Sequence, residues 1–217
     1  MVKLHARVLS TLMFLLALAA ADGAWAGVPT EQLRGGVDRV LEVLRDPQLS
    51  GEARSDQRRT AINKVAGEIF DFGDMAKRAL GPHWAERTPA ERSEFVRLFT
   101  DLIQRAYVGK VDQHAAAAKM AFRGETVDAE YALVKTTIPL GNGGTMPLDY
   151  RMHSTRDRWQ VYDLSIDGIS LVANYRAQFN RVIRTSSYAA LVTRLKSQGA
   201  EFSAPSASPR SGVETPR

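Results

Sequence analysis

The chain has 217 residues, 44% of them hydrophobic, with a net charge of +5 and no cysteine. That length allows one domain with a real core and hardly two, and the missing cysteine excludes disulfides, thiol nucleophiles and cysteine-ligated zinc. The basic residues are interleaved with acidic ones, as where Arg54, Arg58 and Arg59 alternate with Glu52, Asp56 and Glu68, which is a solvated helix face and not the clustered footprint that nucleic acid requires.

Lys3, His5 and Arg7 open the chain, Val8 to Ala21 is apolar, and Ala24-Trp25-Ala26 is a small-x-small site. This tripartite pattern predicts a secretory signal peptide, residues 1–26, removed after Ala26. Asp22 and Gly23 interrupt the apolar run before it reaches the roughly 20 residues a membrane span needs. Loss of the leader removes Lys3, Arg7 and Asp22 and leaves a net +4.

In the mature part, Leu33, Val37, Val40, Leu41 and Leu44 form an apolar stripe at helical spacing that Asp46-Pro47 stops. A second helix from about Glu52 turns Ile62, Val65 and Ile69 inward and ends near Asp71-Phe72-Gly73; a short third, Asp74 to Leu80, has Asp74 as N-cap and Gly81-Pro82 as its stop. Thr88-Pro-Ala-Glu91 is a capping box with proline at the first helical position, and it introduces a helix to about Val111. Its stripe of Phe95, Leu98, Phe99, Leu102, Ile103 and Tyr107 is broader than a surface helix needs, so these side chains either pack a core or line a cavity.

From Lys119 the period becomes two. Met120–Arg123, Glu130–Leu140, Thr145–Thr155 and Arg158–Ile166 read as four strands, with turns at Gly141-Asn-Gly-Gly144 and Arg156-Asp157, so the last three form an antiparallel meander. Strict alternation puts Val134 on one face with Ala132 and Thr136, Leu148 and Tyr150 on one face with Met146 and Met152, and Val161 on one face with Asp163 and Ser165, away from Tyr162, Leu164 and Ile166. After the Asp167-Gly168 turn the period is helical again through Leu171, Tyr175, Phe179, Val182 and Ile183, and a last helix runs from Ser187 to Gln198. The domain thus covers 27–199, and the Ser/Pro-rich residues 200–217 read as a disordered tail.

His83, His114 and His153 are far apart and in no metal-binding spacing, and neither a nucleophile elbow nor a glycine-rich phosphate loop is present. The sequence implies no cofactor and no metal. The candidates for acid–base work are Asp163, inside an apolar strand, and Asp167. The structural reading of Asp163 is that it bonds neighbouring backbone or Arg176 and fixes the strand–helix junction.

Phe70-Asp-Phe-Gly-Asp-Met-Ala-Lys-Arg-Ala-Leu-Gly81, Trp84, Thr88-Pro-Ala-Glu-Arg92, Phe95, Phe99 and Tyr107 resemble the MlaC family. So do Tyr150, Trp159-Gln-Val-Tyr-Asp163, Ile166-Asp-Gly-Ile-Ser170 and Asn174-Tyr-Arg-Ala-Gln-Phe179. The resemblance runs from about Thr30 to Lys196. It implies an α+β fold: a strongly curved antiparallel four-stranded sheet covered by several helices, cone-like, with an internal apolar cavity. It further implies a periplasmic carrier, not an enzyme, that shuttles phospholipid between an outer-membrane lipoprotein complex and the substrate-binding component of an inner-membrane ABC transporter. The lipid-binding residues carried over are Phe72, Trp84, Phe95, Phe99, Tyr107, Val134, Leu148, Tyr150, Val161 and Tyr175. Three alternatives stay open: a carrier of hopanoid or another apolar lipid, an enzyme on the same cone-shaped fold using Asp163, and an envelope scaffold without lipid.

Overall fold

A computed structural model of the chain describes residues 28–114, 120–140, 143–155, 158–197 and 202, with no side chains described for 108–114. The expected signal peptide, the turn residues 141–142 and 156–157, and the tail apart from Phe202 lie outside the described residues.

Helix α1 (Val28–Arg45) ends where Asp46 accepts the Gln48 amide at 2.8 Å and starts a 3-10 turn at Pro47–Leu49. Helix α2 (Ser55–Ile69) lies against it. A Cβ at Gly36 would stand 2.6 Å from Ile69 Cγ1, so the two helices approach this closely because residue 36 has no side chain.

Helix α3 (Phe72–Leu80) begins earlier than the sequence predicts. Its N-cap is Asp71, whose Oδ1 accepts the Asp74 amide at 2.9 Å, and Asp74 instead accepts from Arg78 Nε at 2.6 Å. The shift has a long-range cause: Phe70 leaves α2 in extended backbone and bridges Val161 in parallel, while the Asp71 N–H donates to Val161 O at 2.9 Å. The expected capping box does open helix α4 (Pro89–His114), with Thr88 N to Glu91 Oε2 at 2.8 Å and Glu91 N to Thr88 Oγ1 at 3.3 Å.

The sheet is antiparallel with the strands in sequence order: β1 (Ala121–Asp128), β2 (Tyr131–Pro139), β3 (Thr145–Thr155), β4 (Arg158–Ile166) and β5 (Ile169–Ser170). It has five strands, one more than expected, because the Asp167-Gly168 turn, with φ of 50° and 81°, folds Ile169 back onto Ile166 before the next helix starts. β1 also continues past Arg123 to Asp128, since pairing resumes after an irregularity between Phe122 and Gly124. Helix α5 (Leu171–Thr185) is capped by Ser170, which accepts the Ala173 amide at 3.0 Å, and helix α6 (Tyr188–Lys196) by Ser187, which accepts the Ala190 amide at 3.1 Å.

The buried side chains form two apolar clusters. One lies between the sheet and the α1–α2 pair and includes Leu33, Val65, Ile69, Val134, Tyr150, Met152 and Val161. The other is the interior of the α3–α6 bundle, with Met75, Leu80, Phe95, Phe99, Leu171, Tyr175, Phe179 and Leu191. Phe70 and Tyr107 pack against both. Among the described residues no helix is long and apolar enough to cross a membrane.

Candidate functional site: an apolar sheet face under helices

Partners that face each other across a ladder share a face of the sheet. On β2 and β3 the covered face carries Ala132 opposite Met152, Val134 opposite Tyr150, Thr136 opposite Leu148 and Ile138 opposite Met146. Thr136 keeps this face dry by donating its hydroxyl to Leu148 O at 3.1 Å.

Strict alternation fails on β4. The register shifts between Arg151 and Met152, so Val161 faces Met152 while Leu164 faces Tyr150 and Ile166 faces Leu148. Tyr162 is the extra residue. Val161, Leu164 and Ile166 therefore all belong to the apolar cluster, contrary to the expected split. Asp163 and Ser165 face Arg151 and Asp149 on the opposite side.

That placement decides what Asp163 does. Its Oδ2 accepts from Arg151 Nη1 at 2.9 Å and from the Ser170 hydroxyl at 2.7 Å, and its Oδ1 accepts the Val172 amide at 3.1 Å. The carboxylate thus sits at the N-terminus of α5, where the helix dipole favours negative charge. It fixes the strand–helix junction as the structural reading holds, with Arg151 rather than Arg176 as its cation. Arg176 instead lies against Gly81, where an added Cβ would meet its Cδ at 3.2 Å.

The roof of the sheet is pinned at both sides. The Thr30 amide of α1 donates to Glu125 Oε2 on β1 at 2.7 Å, and the Trp159 amide of β4 donates to Gln32 Oε1 at 2.7 Å. Arg34 places its guanidinium 4.1 Å from the Phe122 ring centroid at the rim.

The ten candidate residues divide between the two clusters. Val134, Leu148, Tyr150 and Val161 share the covered sheet face; Phe95, Phe99 and Tyr175 lie in the bundle, with Phe72 and Trp84 packed against its edge. Tyr107 belongs to both and is the one candidate that joins them. In the bundle the rings interlock, Phe99 edge-on to Tyr175 at 6.0 Å and Phe95 edge-on to Phe179 at 5.7 Å. Trp84 also lines an outer cleft of about 640 Å³ between α3 and α4, together with Lys77 and Arg92.

The sequence placed Met152 and Ala132 on the apolar faces and Leu33, Val65 and Ile69 in apolar helical stripes without naming them as candidates, and it missed Phe70 as part of this interior. No local pattern says that those stripes cover the sheet. Burial pushes the Tyr107, Tyr150 and Tyr175 phenols up, and the Tyr107 and Tyr175 side chains influence each other's ionisation. Among the described residues no group of three histidines or carboxylates is placed to hold a metal.

The geometry defines an α+β protein whose apolar sheet face is roofed by helices and joined through Tyr107 to a second apolar interior. The chain belongs to the MlaC family, whose model, described as MlaC protein, matches residues 35–197. A relative is the toluene tolerance protein ttg2D of Pseudomonas putida, 20% identical over 169 residues that span 77% of this chain and 79% of that one. A similar solved structure is the phospholipid-binding protein from Ralstonia solanacearum in complex with a phospholipid, with a TM-score of 0.68 and 26% identity over 79% of this chain and 97% of that one.

Proposed function

We propose that this chain is a periplasmic phospholipid carrier, exported with residues 1–26 removed, which holds acyl chains between the covered sheet face and the helices. It passes lipid between an outer-membrane lipoprotein complex and the substrate-binding component of an inner-membrane ABC transporter, and performs no covalent step. The observation that carries this reading is the run of Met152, Tyr150, Leu148, Val134 and Val161 across three strands, joined to the bundle rings by Tyr107. The likeness to a phospholipid-binding protein over almost its whole length supports it.

The energetics favour such a design. Each exposed CH₂ costs about 0.8 kcal/mol, so two long acyl chains in water cost on the order of 20 kcal/mol, which a dry apolar interior removes. Val134, Val161, Phe95, Phe99 and Tyr175 are fully buried, so lipid enters as the two clusters part along the seam at Tyr107. Asp163 supports the reading from the other side: it faces away from the interior, two of its bonds hold the start of α5 and the third holds Arg151 on β3.

Native mass spectrometry of protein purified without detergent tests this. A bound mass that fragments as phospholipid is expected; a hopanoid mass would change the cargo, and protein that is consistently empty would sink the carrier reading.

A further inference from the structure

Residues 198–217 contain a single aromatic, Phe202, in a run otherwise made of small, polar, proline and charged residues and one valine. It is buried, at 7% exposure, within the bundle cluster. Its ring meets Phe179 edge-on, with centroids 5.2 Å apart and planes at 87°. Phe179 has no exposure of its own and is in turn edge-on to Phe95 and Phe99. The family match ends at residue 197, so this ring comes from beyond the part of the chain shared with the family.

We infer that the α4–α6 bundle carries a binding site for the aromatic anchor of a peptide segment, and that Phe202 of this same chain occupies it. One aromatic ring in a well-packed apolar recess, flanked by small and polar residues such as Ala200, Glu201, Ser203 and Ala204, is the pattern of a peptide held by a single hot spot. The short connection from α6 gives the segment an effective concentration of about millimolar or above, so even a weak site stays occupied in cis. The recess is distinct from the sheet face, and the inference stands whatever lipid the protein carries.

The test compares the full chain, a chain ending at Ser197, and the full-length variants Phe202→Ala and Phe202→Leu, with a synthetic peptide of residues 198–217 supplied in trans. The truncated chain and Phe202→Ala should melt roughly 5 °C or more below the full chain, with Phe202→Leu in between. The peptide at about 1 mM should raise the melting temperature of the truncated chain, leave the full chain unchanged, and lose its effect when it carries Phe202→Ala. If the truncated chain does not fold, the peptide is added to Phe202→Ala instead. Melting within 1 °C of the full chain overturns the inference. So does a destabilised protein that ignores the peptide, because Phe202 would then be ordinary core. Lipid content by mass spectrometry is an independent readout, so failure here leaves the carrier reading untouched.

Discussion

Asp163 accepts the Val172 amide at 3.1 Å, which ties a residue of β4 to the first turn of α5 across a sharp turn and a two-residue strand. The same carboxylate holds Arg151 and Ser170. Asp163→Ala should therefore cost about 3 kcal/mol in urea unfolding, since it strands a buried amide and hydroxyl. Asp163→Asn should cost about 1–2 kcal/mol, because its amide presents a donor to donors. Folded Asp163→Asn protein should retain its co-purifying lipid. If the variant is as stable as the parent but loses function, the junction is not its role.

Two glycines should respond to alanine for different reasons. At Gly36 the new Cβ meets Ile69 at 2.6 Å, so Gly36→Ala must push α1 off α2 and should cost about 1–3 kcal/mol. At Gly168 nothing lies within 4 Å, and the cost comes from φ of 81° alone, about 1 kcal/mol. Shortening Ile69 to alanine alongside Gly36→Ala should recover part of the first loss and none of the second, as double-mutant unfolding would show.

Alkaline pH should unfold the protein through its phenols. Burial first, with Glu91 and Glu94 adding to it, pushes Tyr188 up to about 12, and burial raises Tyr107, Tyr150 and Tyr175 as well. The same groups ionise near pH 10 when unfolded. Their folded values are raised, so the stability is fully present below about pH 10 and falls as the pH climbs towards 12, where the unfolded state releases protons the folded state keeps. Phenolate absorbance from these residues should rise together with loss of the circular dichroism signal. Complete ionisation near pH 10 with the fold intact would contradict this burial.

The carrier reading makes a prediction at the centre of the sheet. Val134 is fully buried, paired with Glu125 on one side and Tyr150 on the other. Val134→Phe should destabilise the protein by about 1–3 kcal/mol through overpacking and reduce retained lipid several-fold in mass spectrometry. Tyr131→Phe, on the outer face at 44% exposure, should leave lipid content unchanged.

Much of the architecture was legible because it is written locally. The Thr88–Glu91 capping box, the stripes of α1 and α4 and the turn at Asp167-Gly168 each depend on residues within a few positions. What the sequence concealed is long-range. Nothing around Tyr162 announces an extra residue, since the slip exists only relative to β3, and it moved Leu164 and Ile166 onto the apolar face. Asp74 has the right chemistry for an N-cap, yet the bridge from Phe70 to Val161 starts α3 two residues before it. The apolar stripes were legible, but not their division into two clusters, because period 3.6 states which stripe is apolar and not which neighbour it meets.

The stitch between Phe70-Asp71 and Val161 constrains how the interior can open. The joint between α2 and α3 is fastened to β4 by backbone pairing, and Asp71 Oδ2 also meets His153 Nε2 on β3 at 3.1 Å. Two leaves hang from that fixed line: α1–α2 over the sheet, and the α3–α6 bundle beside it. Any parting of the two clusters that keeps these contacts must leave Phe70-Asp71 in place against β4.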